Sequence, residues 1–346
     1  MKNIVRMSAV AATAALALAA CSAAPSATPS ASNTAPAAPA YKACMVSDSG
    51  GFDDKSFNQS GYEGLLKAQT DLGIAVEKAE SNDAADYAPN IDAMIAAKCD
   101  LIITVGFNLA DATQAAAIAN PTQNFAIVDA SFSDANFKPI VYANVKSLLF
   151  ATDQAAFLAG YAAAGHTKTG KVATFGGGNF PGVTDFMTGF LNGVKYHNTD
   201  KGTSVAVLGW DGTAGSVDAG FTDQTVGQTL GNGFIQQGAD IILPVAGPVG
   251  LGTAQAAKAA GNVQIIGVDS DWTLTAPEYK DVVYGSVLKE IGAAVYATIK
   301  EAVSPSGFSN TSYIGTLENG GVGVAGITDD FTTLKAAIIA GTIKTK

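Results

Sequence analysis

Asp48-Ser-Gly-Gly-Phe-Asp-Asp-Lys-Ser-Phe-Asn-Gln-Ser-Gly-Tyr62 sets acids, amides, hydroxyls and aromatics between the apolar run Ala43–Val46 and a helix-like pattern continuing through Leu65, Leu66 and Ala68. A strand, a Gly-bearing turn and a helix N-terminus aim backbone N–H groups and polar side chains at one point, which suits non-covalent capture of a small molecule. Similar polar or small residues close later apolar runs: Gly106-Phe107, Asp129, Phe175-Gly176, Ala246-Gly247 and Asp269. In open parallel sheets ligands lie beyond the carboxyl ends of strands, so these residues are expected to line one cleft.

Strings that could do covalent chemistry are weaker. Ser286-Val-Leu-Lys289 and Lys168-Thr169-Gly170 match two motifs of penicillin-recognising enzymes, but in the wrong order and without the Ser-Asp-Asn that should lie between them. Gly321-x-Gly323-x-x-Gly326 has dinucleotide-fingerprint spacing, yet too little chain follows to build the βαβ unit such a fingerprint needs. His166 and His197 are the only histidines, each near a predicted helix C-terminus, so neither a zinc site nor histidine catalysis is expected. No metal, cofactor or catalytic residue is assigned.

The elements that would position the candidate residues alternate short apolar runs with amphipathic stretches, the pattern of parallel α/β units. Strands are predicted at 42–47, 75–80, 101–106, 124–129 and 141–144, with helices at 57–72, 85–97, 109–119 and 151–166. A second set follows: strands from 172, then at 204–209, 241–245, 264–268 and 282–286, with helices to 196 and at 223–237, 250–260 and 288–303. The tail is expected to add edge strands or hinge segments and a helix at 333–340. The 346 residues therefore suggest two doubly wound lobes joined by a hinge. The N-terminal lobe is expected over 41–166 with 288–346 returning to it, and the C-terminal lobe over 167–287.

Residues 1–20 carry Lys2 and Arg6, then an uncharged Ala/Leu-rich run ending Leu18-Ala-Ala-Cys21, the pattern of a secretion signal. Residues 21–40 are Ala, Ser, Thr and Pro with no apolar anchor, expected to form a tether. Losing Lys2 and Arg6 takes the formal charge from −10 to −12, which disfavours nucleic acid as a partner. Arg6 is the only arginine, so a bidentate guanidinium clamp for phosphate or carboxylate is excluded from the mature chain and a neutral ligand is favoured. Cys44 and Cys99, each at the start of an apolar run, are expected to form a disulfide in an oxidising exterior.

Leu-Ala-Ala-Cys21 resembles the lipobox of bacterial lipoproteins, and Asp48 to Gly64 closely resembles the opening signature of the basic membrane protein, or PnrA-like, family of ABC-transporter lipoproteins. Val105-Gly-Phe107, Phe125-Ala-Ile-Val-Asp129, Asp153-Gln-Ala-Ala-Phe-Leu-Ala-Gly160, Gly189-Phe190-x-x-Gly193, Val245-Ala-Gly247, Gly267-Val-Asp269-Ser-Asp271 and Ser286–Lys289 follow in family order. The resemblance implies a type I periplasmic-binding-protein fold, no enzymatic activity, and a purine nucleoside clamped between the lobes. It further implies a monomer working with ABC permease subunits at the outer face of the cell membrane, held there by a lipid on Cys21. Asp48 and Asn58 would bond the base edge. Tyr62, with Phe107, Phe175 or Phe186, would stack on the base, and Asp269 with Lys289 would hold the ribose hydroxyls. The alternatives are a sugar or autoinducer receptor of the same fold, and a secreted hydrolase using Ser286 and Lys289.

Overall fold

Two six-stranded sheets with the same winding make up the computed structural model, which describes residues 41–346. The signal, the tether and Cys21 lie outside the described residues. The chain runs β1 (Lys42–Ser49), α1 (Phe57–Leu72), β2 (Ala75–Ser81), α2 (Tyr87–Ala96), β3 (Leu101–Val105), α3 (Ala110–Ala119) and β4 (Asn124–Val128). A small hairpin of β5 (Phe132–Ser133) and β6 (Pro139–Ile140) precedes β7 (Val145–Phe150). Then come α4 (Thr152–His166), β8 (Lys171–Gly176), α5 (Pro181–Lys201), β9 (Ala206–Leu208), α6 (Gln224–Gln236) and β10 (Ile241–Val245). They are followed by α7 (Val249–Ala260), β11 (Gln264–Asp269), α8 (Trp272–Thr275) and β12 (Val283–Lys289). Last are α9 (Ile291–Val303), β13 (Tyr313–Gly315), β14 (Val322–Ala325) and α10 (Thr332–Ile339).

The sheet orders are β13-β7-β4-β3-β1-β2 and β14-β12-β11-β10-β8-β9. Every pair is parallel except β12–β14. The central strands are buried on both faces and so read as near-continuous apolar runs: Leu101 to Val105, with Thr104 its one polar member, and Ile241 to Val245 are buried throughout. Strand order reverses between β1 and β3 and again between β8 and β10, which opens a crevice at the carboxyl ends of those strands in each lobe. Helix ends are fixed locally: left-handed Gly73 and Gly202 terminate α1 and α5, and Pro181 opens α5. A disulfide joins Cys44 in β1 to Cys99, just before β3, across 5.9 Å between Cα atoms.

The division between lobes differs from the sequence expectation. The first crossing falls at Ala151, since α4 packs along α5 and on β12 and β14 of the second sheet. The chain returns at Glu290, after which α9 packs on α1, and it crosses a third time between β13 and β14. The tail thus supplies an edge strand to each sheet. Ala151 N–H donates to Gly315 C=O (2.8 Å) and Glu290 N–H to Gly321 C=O (3.0 Å), tying the three crossings into one hinge.

Two predicted elements are displaced. Residues 141–144 are not a strand, because the Asn144 amide donates to Ala117, Asn120 and Gln123 carbonyls and anchors the turn that precedes β7. Leu288 and Lys289 extend β12 rather than start α9, pinned by antiparallel pairing to Gly323 and Val322.

Candidate functional site

The crevices of the two lobes face each other and form one cleft of about 540 Å³, counting its open mouth. The first lobe contributes Asp48, Asp54, Phe57, Asn58, Gly106, Phe107 and Asp129; the second contributes Phe180, Phe186, Phe221, Gly247, Asp269 and Lys289.

The polar wall starts at Asp48. Its Oδ1 accepts from Asn58 Nδ2 at 2.9 Å, and its Oδ2 lies where a side chain on residue 106 would clash, 2.4 Å from a Cβ, so this corner requires Gly106. Asp54 Oδ1 accepts from the backbone N–H groups of Ser56 (2.9 Å) and Gln59 (3.0 Å), and Oδ2 from that of Asn58 (2.9 Å). That satisfies the first turn of α1 and fixes where Asn58 emerges. The second proton of Asn58 Nδ2 goes to Asp54 Oδ2 at 3.3 Å, which leaves Asn58 Oδ1 buried without a partner. Desolvation pushes the Asp48 carboxyl up to about 7; the Asn58 bond opposes the rise, while Asp54 and Asp129 add to it.

Asp129 and Asp269 occupy equivalent places, just past the end of β4 and at the end of β11, each the third strand in its sheet order, and both have left-handed backbones with φ of 64° and 67°. Such a conformation is costly for a non-glycine residue, and here it turns both carboxylates toward Lys289. Lys289 Nζ donates to Asp129 Oδ2 at 2.5 Å and lies 3.9 Å from Asp269 Oδ1. Asp269 Oδ2 accepts from Ser56 Oγ at 2.8 Å, another link across the lobes. The Lys289 side chain is 2% exposed, and its charge stands 5.0 Å from the Phe57 ring, 5.2 Å from Phe186 and 5.8 Å from Phe150. The cleft thus holds one ammonium, paired with Asp129 and Asp269, and two further carboxyl groups, Asp48 and Asp54, among aromatic rings, a field hostile to anions. At the mouth, Phe107 and Phe180 stack from opposite lobes with centroids 4.7 Å apart and planes 8° from parallel, and Phe221 flanks Phe180 at 6.0 Å.

The structure therefore brings Asp48, Asn58, Phe107, Asp129, Phe186, Gly247, Asp269 and Lys289 to one cleft. Tyr62 and Phe175 are not part of it. Tyr62 points away from the cleft along α1, packs on Phe52 at 4.9 Å and lies under Lys78 at 4.8 Å. Phe175 is fully buried within β8, toward Phe234 of α6. Sequence reasoning missed Phe57, Phe180 and Phe221. Two of these had a signal: Phe57 directly precedes Asn58 at a helix start, and Phe180 directly precedes Pro181 at another.

The Ser286 of the hydrolase alternative is held in packing. Ser286 Oγ accepts from the Trp272 backbone N–H at 3.1 Å and sits against Gly267, so the Ser-x-x-Lys string is a packing feature of β12. Among the described residues no three His, Cys, Asp or Glu side chains form a metal-holding group, and no helix is long and apolar enough to cross a membrane.

A family model described as ABC transporter substrate-binding protein PnrA-like matches residues 41–344. An ABC transporter nucleoside-binding protein of Lactococcus lactis is 33% identical over 315 residues, covering 86% of this chain and 84% of that protein. Basic membrane protein A of Borreliella burgdorferi is 34% identical over 255 residues, covering 73% and 70% respectively. Among solved structures, an ABC transporter solute-binding protein from Aeropyrum pernix superposes with a TM-score of 0.73 at 28% identity, covering 87% of this chain and 80% of that one. An arabinose-binding protein from Geobacillus stearothermophilus, at 16% identity and a TM-score of 0.60 over 83% of this chain and 97% of that one, shares the fold.

Proposed function

The chain belongs to the PnrA-like family of ABC transporter substrate-binding proteins, and we propose that it captures a purine nucleoside between its lobes and hands it, unchanged, to an importer in the membrane. The fold is the type I periplasmic-binding-protein fold, and members of the family are binding proteins rather than enzymes. The observation that carries the ligand class is the composition of the cleft: aromatic walls with four carboxylates, one ammonium and no arginine. Aromatic faces suit a base, since stacking on them contributes about 1–3 kcal/mol per base in single-strand binders. The Asp129–Lys289–Asp269 group offers acceptors and a donor to a ribose diol. Phosphate, by contrast, would meet unpaired carboxylates.

In this reading Asp48 and Asn58 face the base edge, and Phe107 and Phe180 part by about one ring thickness, roughly 3.5 Å, to admit the base. The name of the Lactococcus relative supports a nucleoside. The proposal includes a lipid on Cys21 as the anchor, which rests on the lipobox-like Leu18–Cys21 and the tether-like segment after it. Titration calorimetry with adenosine, guanosine, uridine, ribose and the purine nucleoside monophosphates tests it. Purine nucleosides are expected to bind, the monophosphates at least tenfold more weakly, and ribose not measurably. Failure of every nucleoside to give heat or a thermal shift overturns the proposal.

A further inference from the structure

Asn58 is held in one orientation. Turning its amide over would set the oxygen against both Asp48 and Asp54, so Nδ2 faces the two carboxylates and Oδ1 remains a buried acceptor with nothing to accept from. A buried orphan acceptor is destabilising, a debt a ligand can remove by presenting a donor. Asp48 lines the same wall; its Oδ1 is engaged by Asn58, and although the Asn108 side chain also reaches the carboxyl, Oδ2, set against Gly106, is the oxygen left to meet a ligand. Without a proton, Asp48 makes the wall a pair of acceptors; with a proton on Oδ2, it makes the wall one donor beside one acceptor.

These two patterns fit different bases. Guanine presents two adjacent donors, N1–H and the N2 amino group, which match two acceptors. Adenine presents N1 as an acceptor beside its N6 amino donor, which matches a donor and an acceptor. Building on the nucleoside reading above, we propose that Asp48 and Asn58 set base preference: the ionised wall selects guanine-type edges and the protonated wall adenine-type edges.

The surroundings place this exchange near neutrality. Asp48 is faced by Asn58 from α1, Asp54 from the loop before it, Asn108 from the turn after β3, Asp129 from the end of β4 and Tyr87 from α2. None of these is a cation, and the pocket's one ammonium is committed to Asp129 and Asp269. Burial among those groups holds the carboxyl at about 7.

The test measures guanosine and adenosine dissociation constants from pH 5.5 to 8.5 on the wild type and on Asp48→Asn. In the wild type the affinity ratio of guanosine to adenosine should rise with pH, by up to about tenfold per unit as the proton leaves. In Asp48→Asn, which always offers a donor, the ratio should favour adenosine and stay flat. A flat ratio in the wild type overturns the proposal while leaving nucleoside binding intact, as does a variant that keeps the wild-type slope. Absence of all nucleoside binding would instead overturn the function itself. Should the variant not fold, the wild-type series alone decides.

Discussion

A single carboxyl, Asp48, ties recognition to stability. Its folded-state pKa of about 7 lies above the value near 3.9 expected for an unfolded aspartate. Between those values the folded chain holds more protons than the unfolded one, so this group makes stability fall as pH rises, by at most about 1.4 kcal/mol per unit, and level off above 7. Asp48→Asn should therefore gain on the ligand-free wild type from pH 4 to 7 in urea unfolding, then run parallel to it. A difference that is flat or shrinks with pH would contradict that account. The residue types at the site were legible because acids and amides at strand ends have few structural reasons to be there. The aromatics were not, since Tyr62 and Phe175 offer the same kind of ring face as Phe57 and Phe180, and it is the helix phase and strand pleat that separate them.

At the level of elements, helix contacts rest on glycine. A Cβ on Gly193 would fall 2.0 Å from the Phe157 carbonyl, and one on Gly160 2.1 Å from that of Phe190, so α4 and α5 meet backbone to backbone. Gly233, in α6, has nothing within 4 Å. Gly193→Ala should cost about 1–3 kcal/mol or more through overpacking, whereas Gly233→Ala should gain roughly 0.5–1 kcal/mol from helix propensity and a less flexible unfolded chain. Chemical denaturation of the two variants checks the opposite signs. Apolar periodicity located α1 from 57 to 72 because its buried stripe and its closing Gly73 agree. It failed at β7 and at the end of β12, where a side-chain anchor and a distant tail strand set the boundary. Such long-range partners leave no local trace.

For the molecule as a whole, the proposed capture of a nucleoside requires the lobes to close on it. Lys55 and Glu278 form an ion pair of 2.8 Å between the lobes, outside the pocket, with both side chains more than 40% exposed. Exposed pairs contribute about 0–1 kcal/mol and are screened by salt. Glu278→Gln should weaken nucleoside binding by up to about fivefold at low ionic strength, mainly through faster release, and the difference should vanish at high salt. Stopped-flow dissociation at two salt concentrations reads this directly; an effect that persists at high salt would assign Glu278 another role.

The triple crossing also governs the order in which the body can be built. The first lobe begins with β1, yet its cover helix α9 and its edge strand β13 come from residues 291–315. The first half to emerge during synthesis is thus among the last to be completed, and until then the β7 edge and the groove at Gly64 of α1 stay bare. Neither half is a self-sufficient folding unit, so a chain truncated after 303 would lack an edge strand in both sheets, and the described body should assemble in a single late step.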